Sequence, residues 1–197
     1  MIAIVDYGVG NIRSVERALT QVGAEARLTA DPEELEAANG IVLPGVGAFA
    51  PALAKLSAQG LGRRIVELAR QGKPVLGVCL GYQLLFDESS EHGRHEGLGL
   101  LPGRVVEVTS APRLPVIGWC RTAQVATSGL WDGIADNSYF YYVHSFTPEA
   151  SGHRIGCTEH SPAAAAAMGN VMGTQFHPEK SGSDGLRLYA NFLAMST

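Results

Sequence analysis

The sequence predicts an α/β domain whose mixed, mostly parallel sheet is flanked by helices. Two observations carry that reading. In the first half, short apolar runs at 2–5, 24–30, 41–43 and 73–78 alternate with stretches whose apolar residues recur at helical spacing, the pattern of parallel strands covered on both faces. From about Arg104 the grammar changes to short strand candidates without long helices between them, which predicts an antiparallel or mixed second half. With 197 residues the chain is long enough for one well-buried domain, 1–197, and no linker or repeat divides it.

Composition narrows the possible functions. A hydrophobic fraction of 46% and a charged fraction of 17% belong to an ordinary folded protein rather than a disordered one. A net charge of −4, without a Lys/Arg cluster, argues against nucleic acid or an anionic membrane as partner. Cys79, Cys120 and Cys157 are widely spaced and form no C-x-x-C pair, so neither a disulfide framework nor a metal site is expected. A reducing, cytoplasmic setting fits. No apolar run reaches 18 residues and the chain opens directly on a strand, so neither a membrane span nor a secretory leader is expected.

The elements follow in order. Residues 2–5 read as a strand, and the Gly8-Val-Gly10 loop leads to a helix carrying Ile12, Val15, Leu19 and Val22. A phosphate-binding role for that loop is weak, because the third glycine of a dinucleotide fingerprint is missing. A second strand is expected at 24–30. Asp31-Pro-Glu-Glu34 then has the acid cap, early proline and Glu three residues on that start a helix. A buried strand at 41–43 ends in Pro44-Gly-Val-Gly47, either a plain turn or main chain able to approach a ligand. Helices are expected at 50–58 and 61–71, then the strand at 73–78, a helix running through Phe86, and a polar loop over 87–99. Strand candidates follow at 105–108, 115–118, 139–143, 153–158, 163–168 and 171–176. Ala163 to Ala167 would suit a helix by propensity, but Ser161-Pro162 and Gly169-Asn170 bracket it as a hairpin arm. A terminal amphipathic helix at 183–195 places Leu186, Tyr189 and Leu193 on one face.

The chemistry centres on Gly77-Val-Cys79-Leu-Gly81. This is the G-x-nucleophile-x-G elbow with sulfur as the nucleophile, its glycines flanking Cys79 where side chains would collide with the turn. The competing reading is a structural cysteine at the end of a core strand. The elbow sets Leu80 N–H as an oxyanion donor at a helix start. A thiol nucleophile needs an imidazole, and the imidazole an acceptor. Of six histidines, His92 and His95 fall in the polar loop, His153 and His160 flank a strand without an orienting acid, and His144 ends an aromatic strand as a packed ring or a site residue. His177 differs, because Pro178 holds Glu179 two residues away, within reach of its ring. The order Cys, His, Glu is not the nucleophile, acid, histidine order of α/β-hydrolases.

Gly77-Val-Cys79-Leu-Gly-Tyr-Gln83 together with His177-Pro-Glu179 resembles the class I glutamine amidotransferases, and the match runs along nearly the whole chain. Asp6-Tyr-Gly-Val-Gly-Asn11, Pro44-Gly-Val-Gly-Ala-Phe49, Tyr141-Tyr-Val-His-Ser145 and Gly173-Thr-Gln-Phe-His-Pro-Glu-Lys-Ser181 resemble, within that class, glutaminases that serve histidine biosynthesis. The resemblance implies a flavodoxin-like fold, a Cys79, His177, Glu179 triad, hydrolysis of glutamine, and no cofactor or metal. It implies an oxyanion hole from Leu80 with Val46 or Gly47, the latter strand reorienting to supply its amide. Gln83 and Glu91, with the backbone of Ser145 and Phe146, would contact the amino-acid end of glutamine. The implied partner is a (β/α)8 cyclase, docked near Lys180 and Trp119, that uses the ammonia to form imidazole glycerol phosphate and an aminoimidazole carboxamide ribotide. Where the family usually shows Pro-His-Met/Ile-Gly-Trp-Asn, this chain has Pro115-Val-Ile-Gly-Trp-Cys120, an expected loss of polar partners near the docking face. Other readings on the same fold are a glutaminase with a different acceptor synthase, a γ-glutamyl hydrolase, a non-enzymatic regulatory subunit, and a pterin- or flavin-binding relative.

Overall fold

The computed structural model describes residues 1–197. Four strands, β1 (Ile2–Val5), β2 (Ala26–Thr29), β3 (Gly40–Leu43) and β4 (Val75–Val78), alternate with α1 (Ile12–Gln21), α2 (Pro32–Ala37), α3 (Phe49–Ala58) and α4 (Leu61–Arg70). The β3 and β4 residues are all buried, as a strand covered on both faces requires. Successive residues of β1 feed opposite cores: Ala3 and Val5 pack with α2, α3 and α4, while Ile2 and Ile4 pack with α1 and the terminal helix. At α2 the Asp31 carboxylate accepts from Glu33 N–H at 2.9 Å, so the cap forms as expected. Glu34 does not close a capping box; it turns to Arg27 on β2 at 2.8 Å.

The helix after Cys79, α5 (Leu80–Leu84), stops two residues short of the expected Phe86. Phe86 instead begins β5 (Phe86–Ser89), and the segment expected to be loop also holds β6 (His95–Glu96), paired antiparallel to β5. Burial of Phe86 against Tyr82, edge to face at 5.1 Å, outweighs continuation of the helix. These strands, with β7 (Leu101–Glu107) and the short β10 (Phe146–Pro148), form a separate four-stranded sheet ordered β10-β7-β5-β6.

The second half supplies β8 (Val116–Gln124), much longer than expected, with β9 (Ser138–His144), β11 (Arg154–Thr158), β12 (Ser161–Met168), β13 (Val171–Thr174) and the helix α6 (Gly182–Ala194). The main sheet runs β2-β1-β3-β4-β13-β12-β11-β8-β9. Its first five strands are parallel, in the flavodoxin-like order, and the remainder is antiparallel. The alanine run is a strand, as its brackets predicted. Ala163 to Ala166 are wholly buried between β11 and β13, where tertiary packing overrides helix propensity.

Candidate active site

The site lies beyond the carboxyl ends of β3, β4 and β13, where ligands of open α/β sheets bind. Cys79 closes the turn between β4 and α5 with φ +55° and ψ −111°, a conformation an L-residue adopts only under restraint. The restraint is packing. A Cβ at Gly77 would fall 2.6 Å from Tyr82 Cα, and one at Gly81 would overlap the Leu43 carbonyl. The two elbow glycines therefore let α5 press onto β4 and β3, and Cys79 N–H is pinned to Thr174 O on β13 at 2.8 Å.

His177 follows β13, its N–H bonded to Tyr141 O on β9 at 2.9 Å, and its Nδ1 lies 2.8 Å from Glu179 Oε1. The His177 and Glu179 side chains are 5% and 2% exposed. Because a carboxylate oxygen only accepts, Nδ1 carries the proton and Nε2 is left for the sulfur. Burial disfavours an imidazolium here, but the Cys79 and Glu179 groups on either side outweigh it and push His177 up to about 10. Tyr189 on α6 donates to the second oxygen of Glu179 at 3.4 Å, and Ser181 Oγ ties His177 O at 2.6 Å to Tyr141 N at 3.0 Å.

Cys79, Leu80 and His177 line a cavity of about 280 Å³ together with Val46, Gly47, Gln83, Glu91, Ser145, Phe146 and Lys180. Leu80 begins α5, so its N–H has no partner within the helix. Gly47 has φ +94°, and open space surrounds its missing side chain. Gly45 is the tight position of that loop: a Cβ there would come 2.8 Å from both Gly81 N and the Tyr7 hydroxyl, which itself donates to Pro44 O at 2.9 Å. Burial, then the charge of Cys79, push the Tyr7 phenol up. Glu91 accepts from Phe49 N–H at 2.7 Å, which anchors one of its oxygens to the start of α3. Gln83 donates to Phe146 O at 2.8 Å. Of the catalytic, oxyanion and substrate-contact residues expected from the sequence, all but Glu179 line this one cavity, and Glu179 stands behind His177, on its Nδ1.

His144 joins them, and it is both things the sequence left open. It lines the cavity, yet it is buried, its Nδ1 3.1 Å from Phe146 O and its Nε2 without a partner. Burial pushes it down to about 4, against the Phe146 carbonyl and with His160 and His177 adding to the effect, so the ring is neutral. His160 bonds Ser110 instead, and neither it nor His92, His95 or His153 lines the cavity. Sequence reasoning missed Gln175, Ser181 and Tyr189. Gln175 had a usable signal, a long polar side chain inside the buried run Val171–Phe176.

Lys180 at the cavity rim lies 5.7 Å from the Tyr141 ring centroid, and Trp119, 55% exposed, meets that ring edge-on at 6.0 Å. Ile117, Trp119, Tyr139 and Tyr141 share one face of the β8–β9 ribbon, as their register requires. Val116 and Cys120 point the other way. Val116 is buried and Cys120 packs on the core, its thiol pushed up by burial and then by Glu159. The two departures in this segment therefore change the inner face of β8, not the face that carries Trp119.

Comparison with known proteins agrees with this architecture. The family model described as glutamine amidotransferase class-I matches residues 3–195. The chain is 47% identical over 196 residues to the imidazole glycerol phosphate synthase subunit HisH of Desulfitobacterium hafniense, covering 98% of this chain and 93% of that protein. It is 46% identical over 195 residues to the subunit of the same name from Bacillus cytotoxicus, with the same coverage. A crystal structure of a glutamine amidotransferase, 20% identical, superposes with a TM-score of 0.80 over 100% of this chain and 99% of that one. With the fold, the elbow cysteine and the full-length similarity in agreement, the chain belongs to the class-I glutamine amidotransferases.

Proposed function

We propose that this chain is the glutaminase subunit of an imidazole glycerol phosphate synthase, acting through Cys79, His177 and Glu179. The observation that supports it most directly is the convergence of an elbow cysteine and a buried histidine on one cavity, with a buried carboxylate on the far side of the histidine ring. His177 takes the thiol proton, and the sulfur attacks the side-chain amide carbon of glutamine. The oxyanion is held by Leu80 N–H and by the main chain at Val46 or Gly47. The adduct collapses to a glutamyl thioester as His177 returns the proton to the departing ammonia. Water, deprotonated by His177, then releases glutamate and restores Cys79. Glu179 holds the Nδ1–H tautomer and supports the imidazolium. Gln83, Glu91, Ser145 and Phe146 bind the amino-acid end of the substrate.

The ammonia passes to a (β/α)8 cyclase that docks, as a heterodimer, on the face carrying Lys180 and Trp119. It is used there to form imidazole glycerol phosphate and an aminoimidazole carboxamide ribotide. Residues 1–197 act as a single amidotransferase domain. A cytoplasmic location accords with three unpaired cysteines, and no helix is long and apolar enough to cross a membrane. The test is glutamate release by the purified chain, alone and with its cyclase and the cyclase's ribonucleotide ligand, with Cys79→Ala as blank. A large rise with partner and ligand, absent from the blank, is expected; its absence refutes the cyclase assignment.

A further inference from the structure

One wholly buried polar side chain at the site has no part in the mechanism above. Gln175 lies between β13 and His177, fully buried, its N–H bonded to Ala164 O at 2.8 Å. A buried primary amide must find acceptors for its N–H₂ and a donor for its oxygen. The chain of contacts around it has a direction. The carbonyl of Phe146 can only accept, and it takes Gln83 Nε2 at 2.8 Å and His144 Nδ1 at 3.1 Å. The Gln83 amide is thereby oriented, and the same N–H₂ donates to Gln175 Oε1 at 3.0 Å. With its oxygen engaged, Gln175 turns its own N–H₂ toward Cys79 Sγ at 3.9 Å. A backbone carbonyl sets the sense of every link, so the donor facing the sulfur follows from the network itself.

We propose that Gln175 is a further catalytic residue, an amide donor that holds the Cys79 sulfur as a thiolate aimed at the substrate, with Gln83 and His144 positioning it. The proposal rests on Cys79 being the nucleophile. The thiol proton moves to His177 Nε2, and the negative sulfur left behind accepts the Gln175 N–H more strongly than the thiol does. The elbow cannot supply this donor, because Cys79 N–H is spent on Thr174 O. The other titratable and charged groups facing the sulfur or its cavity are Tyr7, Glu91, His144, His177 with Glu179 behind it, and Lys180. None is altered in the test.

The test is the pH dependence of Cys79 alkylation by iodoacetamide in the full chain, followed on the Cys79 peptide by mass spectrometry. In Gln175→Met the midpoint is expected to rise by about one pH unit, the scale of one charge-assisted hydrogen bond. An unchanged midpoint in the folded variant overturns the proposal, since a merely structural glutamine would lower the melting temperature without moving it. Gln83→Met keeps Gln175 but removes the partner that orients it, and a smaller rise is expected. Should Gln175→Met not fold, an unchanged midpoint in Gln83→Met overturns the proposal. Native chain that neither alkylates at Cys79 nor releases glutamate even with its cyclase and the cyclase's ribonucleotide ligand refutes the glutaminase reading instead; native chain that does both, with variants unmoved, refutes only the role of Gln175.

Discussion

Replacing Glu179 by Gln tests the electrostatic half of the triad while leaving its shape. The carboxylate accepts from His177 Nδ1 at 2.8 Å with both side chains almost wholly buried, so salt screens the pair little. A glutamine can present its amide oxygen to the same N–H, so what is lost is charge. A hydrogen bond to a charged group contributes about 1.5–3 kcal/mol, and each ~1.4 kcal/mol is tenfold in rate, so kcat should fall about 10- to 150-fold. The pH profile should move as well. His177 sits at about 10 because Cys79 and Glu179 outweigh the burial that opposes its charge. Without the carboxylate the imidazolium is lost at lower pH, and the alkaline limb shifts down. Stability follows the same sign. A histidine raised in the folded state contributes fully below its unfolded value near 6.5, and the contribution is lost as pH rises toward 10. The melting-temperature gap between native chain and variant should therefore be widest near pH 6 and close by pH 10. The assay is coupled glutamate release across pH 6–10 alongside thermal melts. A kcat within threefold of native, with the alkaline limb unmoved, would refute the assignment of Glu179.

Two further outcomes follow from the same geometry. Cys79 holds φ +55° and ψ −111°, so Cys79→Gly should be more stable than Cys79→Ala by about 1 kcal/mol, or roughly 2–4 °C in Tm, although neither turns over glutamine. Equal melting of the two would show that the elbow is unstrained. Trp119 is the most exposed aromatic of the β8–β9 face, and under the docking proposed above its loss should cost about 2 kcal/mol, near 30-fold in Kd for the cyclase by titration calorimetry. Trp119→Ala binding as tightly as native would move the interface elsewhere.

Much of this was legible in the residues because local chemistry carried it. The strand at Ile2–Val5, the cap at Asp31, the elbow around Cys79 and the pairing of His177 with Glu179 across Pro178 each depend on neighbours a few positions apart. Even the strand at Ser161–Met168 was readable, from its brackets rather than its alanines. Where the reading failed, the cause was distant. Phe86 left the helix for Tyr82 and the second sheet, and the polar 87–99 segment holds strands because β7 and β5 offer it an edge. The segment 115–120 read only as a short strand candidate, and its place in the long β8, with Val116 and Cys120 turned to the core, came from pairing with β9.

The sequence alone therefore determined the α/β pattern, the elbow at Cys79 and the pairing of His177 with Glu179, since those are short-range consequences of turn geometry, periodicity and residue type. Only the tertiary structure decided that residues 46, 79, 83, 91, 145 and 177 share one cavity, that His144 is buried and neutral, and that Gln175 faces the sulfur. Hydrogen-bond direction and burial arise from chain segments up to about 100 positions apart, and no local pattern encodes which of them meet.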